Sequence, residues 1–296
     1  SLDGLDPENV KTISKKIVSV MTRGLEHHFD RSKIFTASYV VKEPGPQFIV
    51  PPHQDWSFTQ EPDFCSLTVW TPLLDVDANN GGLGVIDGSN SFFHYSRSSP
   101  SPQSRSPLTD HVFDLFPYIK VKELKAGQAL IFDNRTIHAS PPNMSESARI
   151  GVGIGVMAEE APILHYYQNP KSEDEELLVY KVDEEFFYKY NNELLGQNFD
   201  EGKVLDGLEL IRSESRVLPE LSKEIIDETI LSIPTNAYQH DLVERLKHLY
   251  PNNGAEKETQ KEESNHLPKE VVDDRTFFQK YTIPNILAEI RHRIKN

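Results

Sequence analysis

Hydrophobic residues at helical spacing open the chain and predict its first element. They recur every three or four positions, which places them on one face of a helix. These positions are Val10, Ile13, Ile17, Met21 and Leu25. The sequence Asp6-Pro7-Glu8 provides an N-cap residue, a proline at the first helical position and an acid in the first turn. We therefore expect a helical N-terminal segment over residues 6–25.

A different pattern follows, in which short apolar runs of strand length alternate with turns from Ile34 to Val156. One such run is Leu130-Ile131-Phe132, which comes after the turn-like Lys125-Ala126-Gly127. Many short strands with even spacing are typical of a jelly roll. We therefore expect a mainly β protein with flanking helices and a jelly-roll core over about residues 34–160.

Beyond Glu160 the pattern becomes helical again. Two apolar groups at helical spacing predict helical additions over residues 172–250, which complete a single domain of residues 1–250. The groups are Leu221, Ile225 and Ile226, and then Leu242, Val243, Leu246 and Leu249. Residues 251–270 contain no aromatic or β-branched apolar residue and are predicted to form a linker. Residues 271–296 are predicted to form a C-terminal helical tail.

Composition and charge narrow the class of protein. The chain has 296 residues, of which 37% are hydrophobic, and a formal net charge of −15. The negative charge argues against nucleic acid as a partner. No apolar run approaches the length of a membrane span and no signal peptide is evident, so we expect no membrane insertion. Cys65 is the only cysteine, and we expect a small core residue in a cytoplasmic protein.

Candidate metal ligands come next. His53 and Asp55 follow an extended run, and Pro51-Pro52 excludes a helix immediately before them. On a strand, residues two apart point the same way, so both side chains could reach one metal ion. His138 follows a later strand and supplies a second imidazole. Two imidazoles and one carboxylate bind ferrous iron on one face and leave other positions open.

A second His-x-Asp pair, His28-Phe29-Asp30, serves as an internal comparison. It closes the N-terminal helical pattern, and on a helix residues two apart do not share a face. We therefore favour His53 and Asp55. Arg149 opens a further strand, and its planar guanidinium is suited to a carboxylate on a co-substrate. These residues indicate an oxygenase that uses iron and 2-oxoglutarate.

Several short motifs occur in an order that resembles the phytanoyl-CoA dioxygenase family, and the resemblance covers roughly residues 35–160. The motifs are His53-Gln54-Asp55-Trp56-Ser57, Leu67-Thr68-Val69-Trp70-Thr71-Pro72-Leu73, Asn80-Gly81-Gly82-Leu83, Asp87-Gly88-Ser89-Asn90, and His138 to Arg149. The family usually has Pro-Gly-Ser-His at the fourth motif. Because the turn-forming Gly-Ser is present, we expect the loop geometry to be retained.

The resemblance implies a fold, a cofactor set and a reaction. The fold would be a double-stranded β-helix, a cupin-like jelly roll with iron between its two sheets. Fe(II) would be the cofactor, with 2-oxoglutarate and O2 as co-substrates. An unactivated C–H bond of a small-molecule or carrier-linked substrate would be hydroxylated, with formation of succinate and CO2.

The same resemblance implies roles for individual residues. The iron ligands would be His53, Asp55 and His138. Arg149 and Ser140 would hold the distal carboxylate of 2-oxoglutarate. A lysine that contacts 2-oxoglutarate in some members lies far upstream of the His-x-Asp pair, and we assign no residue to that role.

Trp70 corresponds to a family position that lines the co-substrate pocket. A second interpretation of Trp70 is an aromatic residue of the sheet core.

The segment from Gly88 to Thr109 interrupts the rhythm of strands and is rich in Ser and Pro. It contains Arg97 and Arg105 but no acid. One interpretation is a mobile lid whose two arginines attract an anionic substrate toward the iron. The other is a solvated loop without a function.

Two other classes of protein remain open. One is a cupin-like metal-dependent isomerase or hydrolase, against which Arg149 argues. The other is a non-catalytic jelly-roll binding protein, against which the complete ligand set argues.

Overall fold

Eight strands form two antiparallel four-stranded sheets at the centre of the protein. The computed structural model describes residues 6–46, 48–61, 63–172 and 174–243, so the predicted linker and tail lie outside the described residues. The eight strands are β1 (Ser32–Lys42), β2 (Val50–His53), β3 (Ser66–Pro72), β4 (Gly84–Val85), β5 (Lys120–Val121), β6 (Leu130–Asp133), β7 (His138–Ser140) and β8 (Arg149–Ala158).

The order of the strands defines the fold. One sheet has the order β1-β8-β3-β6 and the other β2-β7-β4-β5. All consecutive strands except β4 and β5 lie in different sheets, which is the path of a double-stranded β-helix. The predicted jelly-roll fold is therefore confirmed, and its strands occupy the region in which the core was expected.

The N-terminal helix α1 (Pro7–Leu25) covers the outer face of the first sheet. Its apolar stripe packs on a core cluster formed by Ala37, Val69, Ile154 and Val156. On the same helix, the buried hydroxyl of Ser14 donates a hydrogen bond of 2.8 Å to the carbonyl oxygen of Ala37. The predicted helix is thus present, and its apolar stripe covers one face of the jelly roll.

The second sheet is covered by the segment between β4 and β5 and by the helix Lys223–Leu231. The short helix α2 (Val112–Leu115) belongs to that segment. Its core cluster includes Phe116 and Ile137 and is completed by Ile226 and Ile230 of the C-terminal part of the chain.

A third sheet was not predicted. Its strands are β9 (Leu164–Gln168), β10 (Glu176–Lys181) and β11 (Glu209–Ser215), and the helices between and after them are α3 (Glu184–Lys189), α4 (Asn192–Asp200) and α5 (Lys223–Leu231). Helical additions were expected over residues 172–250, and this region contains the three helices but also the strands β10 and β11, which were not expected. The apolar run of β10 is buried at four consecutive positions, and such a run does not distinguish a strand from a helix by its period.

Three further expectations can be compared with the structure. Cys65 is exposed, because it lies in the turn before β3 and not within the strand, so its assignment to the core was wrong. His28 and Asp30 lie beyond the end of α1 and are exposed. Among the described residues, no helix is both long enough and apolar enough to span a membrane.

Candidate metal centre and adjoining cavity

The three predicted metal ligands come together at one end of the second sheet. His53 is the last residue of β2 and pairs directly with His138, the first residue of β7. Their rings lie 4.2 Å apart between centroids. Oδ1 of Asp55 lies 3.6 Å from Nε2 of His138 and 3.9 Å from Nε2 of His53. One ligand atom from each residue lies within 4.8 Å of the others, so the group can enclose one metal ion.

Asp55 does not lie on the strand that was expected to carry it. The strand β2 ends at His53, and Asp55 belongs to the irregular segment that follows. Its backbone N–H donates to the carbonyl oxygen of Asn134 at 3.0 Å. The carboxylate therefore reaches the two histidines from irregular backbone and not through the alternation of a strand.

Hydrogen bonds fix which atom of each ligand faces the metal position. Nδ1 of His53 lies 2.9 Å from the carbonyl oxygen of Pro51, and Nδ1 of His138 lies 2.9 Å from that of Thr136. A carbonyl oxygen only accepts, so Nδ1 carries the proton and Nε2 presents its lone pair.

The carboxylate of Asp55 is oriented in the same way. Its Oδ2 accepts hydrogen bonds from Nδ2 of Asn134 at 2.8 Å and from the hydroxyl of Thr68 at 3.2 Å. Both donors occupy Oδ2 and leave Oδ1 free on the side of the imidazoles. The three residues are thus held with one ligand atom each directed to a common point.

The protonation states also suit a metal site. Burial, together with the neighbouring His138 ring, lowers the pKa of His53 to about 4, so this imidazole is neutral at physiological pH. For Asp55, burial opposes ionisation. The nearby imidazoles and the bonds from Asn134 and Thr68 outweigh it and leave the pKa of this carboxyl below its ordinary value. A neutral imidazole and an ionised carboxylate are the forms that bind a cation.

A buried cationic corner lies in the same cavity. Arg149, the first residue of β8, is only 3% exposed and lines the cavity together with Ser140. Nη2 of Arg149 donates to the carbonyl oxygen of Gly81 at 2.8 Å and to the Ser140 hydroxyl at 3.2 Å. Its buried Nε has no hydrogen-bond partner among the described residues. Burial lowers the pKa of Arg149 to about 10.

Lys42 completes this corner and was not found by the sequence analysis. It is the last residue of β1 and the register partner of Arg149. Its Nζ donates to the Ser140 hydroxyl and to the carbonyl oxygen of Pro141, each at 2.6 Å. Burial and the charge of Arg149 lower the pKa of Lys42 well below that of a free lysine. In the described part of the chain neither Lys42 nor Arg149 forms a salt bridge, so the corner is suited to an anion.

Trp70 lies in the wall of the cavity beside Arg149. The guanidinium carbon of Arg149 lies 5.3 Å from the centroid of a Trp70 ring. Gly151 makes room for this ring, because a Cβ atom at that position would lie 2.7 Å from the indole nitrogen of Trp70. Trp70 also belongs to a core cluster with Val76 and Phe132, as the second interpretation of this residue expected.

The part of the cavity beyond the three ligands is aromatic. The cavity has a volume of about 500 Å³, and its wall includes Phe35, Trp56, Phe58 and Phe187. The Phe35 ring lies 5.1 Å from the Phe58 ring and 5.7 Å from the Phe187 ring, measured between centroids. These four residues, which we call the aromatic chamber, were not predicted, since they are distant in sequence and share no pattern.

The segment from Gly88 to Thr109 does not present the positive patch that was expected. Arg97 is 5% exposed and forms a salt bridge of 2.8 Å with Glu61. Arg105 is exposed. The expectation of two free arginines was therefore wrong for Arg97, because its acidic partner lies outside the segment in which acids were counted.

Gly88 and Ser89 form a turn that contacts the residue before His138. Gly88 has a φ of +74°, which favours glycine, and a short 3₁₀ helix begins at Ser89. The buried hydroxyl of Ser89 accepts a hydrogen bond of 2.8 Å from the backbone N–H of Ile137. This turn therefore supports the residue that directly precedes His138.

About half of the chain is similar to known proteins. Residues 5–151, just under half of the chain, match the family model for phytanoyl-CoA dioxygenase (PhyH). It is 29% identical over 133 residues to phytanoyl-CoA dioxygenase domain-containing protein 1 of Danio rerio, covering 43% of this chain and 45% of that protein. It is 27% identical over 167 residues to phytanoyl-CoA dioxygenase 1 of Oryza sativa subsp. japonica, covering 54% and 56%. The chain thus matches about half the length of these curated relatives.

Among solved structures, the chain is similar to the non-heme α-ketoglutarate-dependent carbocyclase SnoK from nogalamycin biosynthesis. The identity is 24% and the TM-score 0.35, over 45% of this chain and 52% of that one.

The site fits the cofactor and co-substrates of the family, which are Fe(II), 2-oxoglutarate and O2. Two imidazole nitrogens and one carboxylate oxygen form the ligand set that non-haem ferrous oxygenases use. The unpartnered Nε of Arg149 and the absence of an acid beside it, within the described chain, fit a carboxylate in the same cavity.

The glycine beneath Trp70 leads to a first prediction. Gly151→Ala should destabilise the fold by about 1–3 kcal/mol, because the new methyl group would overlap the indole ring. Gly153→Ala, on the same strand, should change the free energy of unfolding by less than about 0.5 kcal/mol, since its nearest neighbour would be 4.0 Å away. Urea unfolding of both variants measures the difference, and equal losses would contradict this account of Gly151.

Proposed function

We propose that the protein is an Fe(II)- and 2-oxoglutarate-dependent dioxygenase that hydroxylates an unactivated C–H bond of a small-molecule or carrier-linked substrate. The observation that carries the proposal is that one cavity holds both the His-Asp-His group and a buried arginine without an acidic partner in the described chain. A metal site alone would equally suit an isomerase or a hydrolase. The cationic corner adds a place for an anionic co-substrate, which those classes do not need.

In this proposal His53, Asp55 and His138 hold the iron. The hydrogen bonds at Nδ1 of each histidine and at Oδ2 of Asp55 keep the ligand atoms in place. The protein supplies three ligands on one face and leaves the remaining positions open.

Arg149 and Ser140 hold the distal carboxylate of 2-oxoglutarate, with Trp70 as one wall of its pocket. Arg149 has an unused Nε, so its guanidinium retains donor capacity for a carboxylate. Lys42 lies behind Ser140 and binds its hydroxyl, so it orients this residue and adds positive charge. The cost of burying two unpaired cations is offset when a carboxylate enters.

Bound iron and 2-oxoglutarate supply the oxidising chemistry, with succinate and CO2 as products of the co-substrate. The chain's own part is to position the reactants and to exclude water. The aromatic chamber excludes water from the side of the cavity that the substrate would occupy.

The chamber indicates the character of the reacting end of the substrate. Among the described residues that line the cavity, Asp55, Arg149 and Lys189 are the ones with a formal charge. The first two are used by the metal and the co-substrate, and Lys189 is exposed. The reacting end of the substrate is therefore uncharged, and any anionic group of the substrate lies at the mouth of the cavity.

The metal assignment gives a second prediction. His53→Ala and His138→Ala should each reduce bound metal from about one equivalent per chain to near zero, because two ligands do not retain the ion. Succinate formation from 2-oxoglutarate should be lost in both. Elemental analysis after loading with Fe(II) or Ni(II) measures the metal, and a coupled assay measures succinate.

His28→Ala is the matched control, since it removes a histidine from the other His-x-Asp pair and should leave metal and turnover unchanged. Full metal content in either ligand variant would refute the assignment. Stoichiometric metal without any succinate formation in the wild type would instead favour a metal-dependent isomerase or hydrolase.

Arg149 gives a third prediction. Arg149→Lys keeps the charge but loses the planar fork, so the dissociation constant for 2-oxoglutarate should rise about 10- to 100-fold, which corresponds to about 1.4–2.8 kcal/mol. Metal affinity should change much less. Calorimetric titration of 2-oxoglutarate into the Ni(II)-loaded protein measures this, and unchanged binding by Arg149→Ala would rule out the role.

The aromatic chamber gives a fourth prediction. In a panel of aryl and alkyl compounds, uncharged members should stimulate 2-oxoglutarate consumption more than analogues with a carboxylate at the reacting end. Phe187→Leu should keep this stimulation within about threefold, whereas Phe187→Asp should abolish it and leave the basal turnover in place. A preference for the charged analogues would show that the chamber does not receive the reacting end.

A further inference from the structure

The backbone of Asp55 lacks the support that strands give to their residues. Within a sheet, the ladder fixes both the N–H and the C=O of a residue. Asp55 follows the end of β2, so its peptide groups must be held in another way. A metal ligand tolerates displacements of only about half an ångström before the site loosens.

Two contacts take the place of the ladder. The N–H of Asp55 donates to the carbonyl oxygen of Asn134 at 3.0 Å. The carbonyl oxygen of Asp55 accepts a hydrogen bond of 2.6 Å from Nε of Arg97. The charged donor makes this bond stronger than one between neutral groups.

Arg97 is itself held firmly. Nη1 and Nη2 donate to the two carboxylate oxygens of Glu61, at 3.0 Å and 2.8 Å. Both side chains of this ion pair are largely buried, with exposures of 5% and 14%. Ser57 forms two further hydrogen bonds with the backbone of Arg97. Its N–H donates to the carbonyl oxygen of Arg97, and its hydroxyl accepts from the N–H of Arg97.

The arrangement spans the segment that carries the ligand. Asp55 stands at one end of the segment and Glu61 at the other, and one guanidinium binds both. Glu61 also neutralises the guanidinium, so Arg97 acts on the segment through geometry and not through net charge.

We propose that Arg97 is a positioning residue, which clamps the segment between Asp55 and Glu61 and thereby sets the Asp55 carboxylate for the metal. This inference rests on the proposed metal site. It differs from a role of Arg97 in attracting substrate, because the guanidinium is buried and its charge is paired.

Arg97→Lys tests the clamp with little change in charge. Lysine has a single nitrogen and cannot donate to Glu61 and to the Asp55 carbonyl in the directions used by Arg97. The dissociation constant for Co(II), measured by anaerobic titration with visible absorption, should rise about 10- to 100-fold. The Co(II) absorption bands should also shift, because the Asp55 ligand is displaced. Thermal unfolding verifies that the variant is folded.

Arg216→Lys is the matched control. Arg216 is also buried, forms a salt bridge with Glu175, and binds the carbonyl oxygen of Ser96 directly before Arg97. It makes no described contact with Asp55. A general loosening of this loop would weaken Co(II) binding equally in both variants, and that result would overturn the proposal. The proposal requires a loss and a band shift in Arg97→Lys alone.

Glu61→Gln tests the clamp if Arg97→Lys does not fold. The glutamine keeps an acceptor for Arg97 but removes the charge that orients the guanidinium, so Co(II) affinity should fall several-fold. Unchanged affinity would refute the clamp. If the wild type does not bind Co(II), or if His138→Ala binds it equally well, the proposed function is refuted, and this inference with it. Normal binding by the wild type and by Arg97→Lys refutes the clamp alone.

Discussion

The pairing of β2 with β7 is the contact on which the candidate site depends. Val50 pairs with Ser140 and His53 with His138, and the register shifts between these two pairs. In an unbroken ladder continued from Val50 and Ser140, Pro52 would stand opposite His138. The irregularity brings His53 to that place instead, since a slip of one residue exchanges the two faces of a strand. The two prolines before His53 suit such an interruption, because proline cannot donate to a ladder.

The same contact connects the metal position to the cationic corner. β7 begins with His138 and ends with Ser140, so one three-residue strand supplies a metal ligand and the hydroxyl that Lys42 and Arg149 bind. The pairing of β1 with β8 then brings Lys42 opposite Arg149. Because these positions are fixed by the registers of two sheets, the distance between the candidate metal ligands and the cationic corner is a property of the fold.

The sequence was informative where a residue type and its local context sufficed. His53, Asp55 and His138 could be proposed because each is near a strand signal and the ligand chemistry is restrictive. Lys42 and Asn134 could not be found in this way, because their partners are distant in sequence and brought close only by the two sheets. β10 was missed for another reason, since a short buried run has the same period in a helix and in a strand.

Arg97 shows how local charge counting fails and what replaces it. A segment with arginines and no acid suggested a free positive patch, although the whole chain carries a net charge of −15. In so acidic a chain, an unpaired arginine is readily matched by an acid from elsewhere, and Glu61 provides that acid.

Three arginines are buried in the described chain, and of these Arg97 and Arg216 form salt bridges whereas Arg149 has no acidic partner. The paired Arg97 therefore stabilises the scaffold, whereas the unpaired Arg149 can bind an anionic ligand. Arg149 and the aromatic chamber line the same cavity as the three candidate metal ligands. In the proposed function, this difference in polarity would direct the carboxylate of the co-substrate toward Arg149 and the reacting end of the substrate toward the aromatic chamber.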